Sequence, residues 1–130
     1  MPAIDPLHNL GARLTEDGGE VRVYSAGAAS MELCLFSRKD PGWITETLPL
    51  ERDSHDVWSV TSPRLVAGRD YTLRASGQGR FDPEVHLIDP YARGLTRTTN
   101  GEWRSRILDD HFDWSGTSKP ATPLDRTIIY

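Results

Sequence analysis

Short runs with strand character recur along this chain, separated by turn chemistry, and no stretch carries the 3.6-residue periodicity of a long helix. That pattern restricts the fold more than any other feature. Residues 11–15 lead into Asp17-Gly18-Gly19, a strong turn signal. In Glu20-Val-Arg-Val-Tyr-Ser25 the apolar Val21 and Val23 alternate with Arg22 and Tyr24, the period-2 signature of a half-buried strand. Met31-Glu-Leu-Cys-Leu-Phe36 is apolar on both faces, as a central strand would be. Lys39-Asp-Pro-Gly42 turns the chain into a strand over 43–50. After a polar loop at 52–56 come Val57-Trp-Ser-Val-Thr61 and Asp70-Tyr-Thr-Leu-Arg-Ala75, in which Tyr71, Leu73 and Ala75 share one face. Turns at such regular spacing, with short strands between them, predict an all-β sandwich or barrel.

With 130 residues the chain has the size of one domain and is far short of the roughly 250 of an α/β barrel. A net charge of -4 argues against nucleic acid, whose phosphates need clustered Lys and Arg; a neutral partner such as a carbohydrate would leave no mark on that balance. No run approaches the 18 or more apolar residues of a membrane span, and the first ten residues lack the basic and apolar regions of a secretory signal. The single cysteine, Cys34, has no internal disulfide partner, which fits a reducing cytoplasm. Between Leu33 and Leu35 it reads as a packed core or half-core thiol rather than a reactive one.

The residues supply no reaction centre. His8, His55, His86 and His111 lack metal-ligand spacing, so neither a metal nor another cofactor is expected. Gly77-Gln-Gly79 has no second half of a phosphate loop and reads as a hairpin turn, and no Gly-x-Ser-x-Gly elbow occurs. A glycosidase needs two carboxylates across the scissile bond, but among 19 Asp and Glu residues adjacent pairs such as Asp109-Asp110 arise by chance, and that pair reads as solvated linker. No catalytic residue is assigned.

Several strings, in order, resemble one family. Leu10-Gly-Ala12, then Val21-Arg-Val-Tyr-Ser25 and Met31-Glu-Leu-Cys-Leu-Phe36, are similar to the first three strands of bacterial glycogen debranching enzymes. Val57-Trp58 with Pro63-Arg-Leu-Val-Ala-Gly-Arg-Asp-Tyr71 resembles their next stretch, and Arg80-Phe-Asp-Pro83 with Leu87-Ile-Asp-Pro-Tyr-Ala-Arg93 the close of the domain. Asp109-Asp-His-Phe-Asp-Trp114 and Asp125-Arg-Thr-Ile-Ile-Tyr130, with Pro120 and Pro123 between them, look like the linker and first strand of the catalytic barrel. The chain thus resembles the N-terminal module, carbohydrate-binding module family 48, of a glycoside hydrolase family 13 enzyme.

The resemblance implies an immunoglobulin-like β-sandwich over residues 10–95 behind an N-terminal extension at 1–9. A linker at 96–126 would follow, then a strand stub at 127–130. It places the family's catalytic carboxylates on barrel strands beyond Tyr130. The function it implies is a non-catalytic module supporting the barrel and glucan cleft of an α-1,6-glucan debranching hydrolase. An independent glycogen- or α-glucan-binding module is a second reading, and a module of a maltooligosaccharide-acting trehalohydrolase a third. A free-standing protein-interaction domain fits the strand-like 127–130 run poorly.

Glucan rings present apolar C–H faces that stack on exposed aromatics. Trp43, after a Pro-Gly turn, resembles the Trp that forms one wall of the sugar site in glucan-binding relatives; its alternative is a loop aromatic packed on the sandwich or the barrel. The second Trp of those relatives is missing from the hairpin that here reads Gly77-Gln-Gly-Arg80, and the upstream Lys is replaced near Thr72 or Arg74. Arg74, Gln78 and Arg80 are therefore the remaining polar candidates beside Trp43. Trp58, alternating with Val57 and Val60, reads as core or half-core. Trp103, Phe112 and Trp114 are candidates for contact with the barrel, because Phe112 and Trp114 lie on one side of an extended segment.

Overall fold

The protein is described by a computed structural model covering residues 5–40 and 42–130. Among the described residues nine strands form two antiparallel sheets. β1 (Gly11–Thr15), β2 (Gly18–Tyr24), β6 (Val57–Ser62) and β5 (Glu51–Arg52) make a four-stranded sheet in the order β1-β2-β6-β5. β4 (Ile44–Pro49), β3 (Ser30–Phe36), β7 (Asp70–Ser76), β9 (Trp103–Arg106) and β8 (Gly94–Arg97) make a five-stranded sheet in the order β4-β3-β7-β9-β8. The sheets pack face to face as an immunoglobulin-like sandwich, the architecture that the turn spacing predicts.

Alternation decides what faces inward. Val21 and Val23 of β2, Leu33 and Leu35 of β3, and Tyr71, Leu73 and Ala75 of β7 are all buried in one core, together with Leu50, Leu65 and Trp58. Trp58 is only 5% exposed, and its indole Nε1–H donates to the carbonyl of Ser25 at 2.9 Å, so the polar end of the ring is satisfied as well. Cys34 is fully buried, as its flanking leucines predict. The tight turn before β2 depends on glycine. Gly18 has φ +141°, and a Cβ there would lie 2.3 Å from the carbonyl oxygen of Ser62.

The sandwich extends further than the sequence suggests. Residues 96–106, expected as linker, hold the end of β8 and all of β9; β9 pairs with β7 through Asp70↔Arg106 and Tyr71↔Ser105. Ile107 then enters the core at 1% exposure, exchanging backbone bonds with Gly68 (2.8 Å) and Arg69 (2.9 Å). Gly-Leu-Thr-Arg and Trp-Arg-Ser-Arg carry no apolar alternation, so periodicity could not reveal them as strands. Past Ile107 the described chain is extended, apart from a turn closed by the Thr117 amide on the Trp114 carbonyl and a 3₁₀ turn at Leu124–Arg126. Residues 127–130, expected as a strand stub, form no strand and stand exposed.

Candidate functional site

A buried polar knot fixes the segment that crosses from β7 to β8. Tyr71 Oη donates to Asp89 Oδ2 at 2.6 Å, the Tyr91 amide donates to Asp89 Oδ1 at 2.8 Å, and the Asp89 amide donates to Ser105 Oγ at 2.9 Å. Tyr71, Asp89 and Ser105 are at most 2% exposed. Burial pushes the Asp89 carboxyl above its ordinary range, while the bonds from Tyr71 and Tyr91 pull it back in part. Burial, then the adjacent Asp89 carboxylate, raises the Tyr71 hydroxyl so that it stays a donor. This is the physical role of the Leu-Ile-Asp-Pro-Tyr string: it ties the crossing segment to β7 and β9.

That tie sets the segment around Leu87 beside β7, where it continues the sheet past the short pairing with β9. Leu87 exchanges backbone bonds with Leu73 at 2.8 and 2.9 Å, and His86 Nδ1 meets Thr72 Oγ1 at 2.6 Å. The His86 ring lies 5.9 Å from that of Phe36, and the Arg104 guanidinium lies 3.6 Å from the Phe36 centroid. Burial of the imidazole, reinforced by the Arg74 charge, lowers the pKa of His86 and favours its neutral form. Further along, Asp70 accepts both from Arg106, at 2.6 and 3.2 Å, and from the Thr96 hydroxyl at 3.1 Å.

Above these residues runs an open groove of about 1150 Å³. Phe36, Ile44, Leu87 and Ile88 give it apolar surface, and the β8–β9 hairpin with Trp103 lines it as well. Trp103 is 52% exposed, with the Arg97 guanidinium 5.7 Å from its ring centroid. Nothing in the order of residues marks Trp103 as belonging here, because its hairpin is not legible as strands.

The four glucan-binding candidates do not converge. Trp43 is exposed at the Phe36 end of β3, between Gly42 and Ile44, which line the groove. The turn bearing Gln78 and Arg80 leaves β7 at Ser76, which pairs with Ser30 at the other end of β3. Six residues of strand separate the two ends, about 20 Å. Gln78 and Arg80 are exposed, and Arg74 pairs with Glu32 at 2.5 Å on the strand between, its buried Nε lacking an acceptor among the described residues. Among the barrel-contact candidates, Phe112 and Trp114 stack edge to face at 4.5 Å while remaining 62% and 69% exposed. Among the described residues no three His, Cys, Asp or Glu side chains could hold a metal ion, and no helix is long and apolar enough to cross a membrane.

Residues 9–92 match the family described as carbohydrate-binding module 48 (isoamylase N-terminal domain), and the chain belongs to that family. Among curated relatives, the glycogen debranching enzyme of Yersinia enterocolitica is 32% identical over 93% of this chain and 22% of its own length. The glycogen operon protein GlgX homolog of Haemophilus influenzae is 28% identical over 83% of this chain and 19% of its own. The chain therefore spans about a fifth of the relatives it matches. Among solved structures, a pullulanase of Paenibacillus barengoltzii complexed with maltotriose superposes with a TM-score of 0.65 at 24% identity, over 81% of this chain and 15% of that one. The Group B Streptococcus pullulanase SAP in complex with maltotetraose gives 0.64 at 21%, over 78% and 14%. These likenesses carry the fold.

Proposed function

We propose that this chain acts as the N-terminal accessory module of an isoamylase-type glycogen debranching hydrolase of glycoside hydrolase family 13. It is non-catalytic itself and supports a barrel that cleaves α-1,6 branch points. The observation that carries this reading is the reach of the match. The Yersinia alignment takes in 93% of 130 residues, about 121, more than the 107 residues up to the end of the sandwich can supply. The exposed segment after the sandwich therefore belongs to what is shared with debranching enzymes. Phe112 and Trp114 are its natural contact with a barrel, since an exposed aromatic pair on an extended segment gains by being covered. A reducing cytoplasm suits the unpaired thiol of Cys34.

The test is an assay of reducing ends released from glycogen limit dextrin by the 130-residue chain. No release above the blank is expected, and release that scales with protein concentration refutes the reading. A second reading, a module that binds α-glucan in its own right through Trp43 with Arg74, Gln78 or Arg80, is favoured by one observation: the exposed indole of Trp43 stands beside the groove.

A further inference from the structure

We infer that the pocket between the loop after β3 and the loop before β7 is an oxyanion site that takes a phosphate group, with the Arg38 guanidinium as its principal ligand. The site rests on the donors and charges at this end of the sandwich, and it stands whether or not the chain serves a barrel.

Two loops build it. One leaves β3 after Phe36 and the other leads into β7 at Asp70, and Arg38 spans them by donating from Nη2 to the Ala67 carbonyl. Phe36, Ser37, Arg38, Gly68, Asp70 and Arg106 line a pocket of about 270 Å³. That is just under the ~300–1,000 Å³ of small-molecule sites, so it suits one compact group rather than a chain of them. Gly68, at φ +84°, helps to keep the space clear: a Cβ there would lie 3.5 Å from Arg38 Nη2, and a longer side chain would grow against the guanidinium.

Donors and acceptors give the ligand its sign. Asp70 is the one carboxylate among the lining residues, and its oxygens already accept from Arg106 Nε at 2.6 Å, Arg106 Nη2 at 3.2 Å and the Thr96 hydroxyl at 3.1 Å. Ser37 Oγ accepts from the amides of Lys39 and Asp40 at 3.1 and 3.2 Å, which leaves its own O–H to donate. Arg38 commits one of its five N–H groups to Ala67, and Arg106 still has Nη1 to offer. The side chains of the pocket thus present donors, and what fills it must accept.

Charge agrees. The Arg106–Asp70 pair cancels within itself, while Arg38 has no carboxylate partner among the described residues. Arg69, on the second loop, donates to the Phe36 carbonyl at 3.3 Å and the Thr45 hydroxyl at 3.0 Å, and it likewise lacks a carboxylate there. Asp40, two residues from Arg38, turns an oxygen to the Gly42 amide at 3.1 Å and lines the neighbouring groove instead. A chain of net charge -4 therefore keeps this pocket positive. A guanidinium fork matches two phosphate oxygens at once, and a third oxygen remains for Arg106 or Ser37. A carboxylate, with two oxygens, would leave one of those donors unmet.

The test is a titration of the isotope-labelled 130-residue chain with inorganic phosphate at constant ionic strength, followed by NMR. Saturable shifts are expected at the Ser37, Arg38 and Gly68 amides and at the Arg38 Nε–H, a readout in the unmutated chain that does not depend on how any variant folds. Affinity should fall on the order of tenfold in Arg38→Ala and by less in Arg38→Lys, which keeps the charge but not the fork. It should be unchanged in Arg64→Ala, whose arginine pairs with Glu46 and does not line the pocket. Melting checks that each variant folds. A hexose monophosphate titrated in parallel separates the sources of the group: tighter binding than phosphate assigns it to a sugar ester, and weaker binding assigns it to the free ion. No saturable shift with either compound overturns the inference, as do shifts that chloride reproduces at the same ionic strength or an affinity that Arg38→Ala leaves unchanged. None of these outcomes bears on the hydrolysis assay.

Discussion

Replacing Tyr71 by Phe removes one hydroxyl from the core and nothing else. The ring stays in its fully buried place, but Asp89 Oδ2 loses a 2.6 Å donor at a site 2% exposed to solvent. Water cannot take over there, so the cost is that of a buried bond to a carboxylate, about 1.5–3 kcal/mol. At about 2.1 cal/mol/K of unfolding entropy per residue, a chain of 130 residues should melt roughly 5–11 °C lower. The loss should also depend on pH. Asp89 has a folded pKa above its unfolded value, so its contribution is fully present below the unfolded pKa and fades as pH rises through the folded one. The Tyr71 hydroxyl bond opposes that rise; without it the folded pKa climbs further, and more stability is lost on the way to neutrality. Thermal melts of parent and Tyr71→Phe followed by circular dichroism should therefore diverge from acid to neutral pH. Equal melting at neutral pH, or a gap that is widest in acid, would refute the account of the knot.

Trp58→Ala should cost about 3–5 kcal/mol in chemical denaturation, since it empties a large core site and strands the carbonyl of Ser25. Gly18→Ala should lower stability by about 1–3 kcal/mol, because a Cβ at φ +141° meets the backbone at Ser62 and Pro63 at once; a neutral outcome in the same titration would contradict the turn geometry. Cys34, fully buried and with its thiol pushed up by burial, should ignore a thiol reagent in the native protein and react on unfolding, a difference followed by absorbance.

The sheets were legible where one face alone was buried. Val21, Val23, Tyr71, Leu73 and Ala75 announce their strands by alternation, and Trp58 and Cys34 by their apolar neighbours. What lay hidden depends on contacts between distant segments. Phe36 is buried on the outer face because Arg104 and His86 lie against it, a cover no local pattern announces. β8 and β9 are held by Asp70, Ser105 and Ile107 rather than by an apolar stripe, so nothing local marks Trp103, a barrel-contact candidate in a stretch expected as linker, as part of a sheet. Asp89 looks like an ordinary Asp-Pro turn until its partners are seen. Strand register carries Trp43 and Arg80 toward opposite ends of β3, a separation that the closeness of each to a turn does not reveal.

Hydrogen exchange over residues 108–114 addresses most directly the claim that this sandwich serves a barrel through its apolar segment. It should be measured in the 130-residue chain and in the product of the complete gene. The account predicts fast exchange in the former, where Phe112 and Trp114 are exposed, and clear protection in the latter, where a barrel covers them. Equal exchange in both would contradict it.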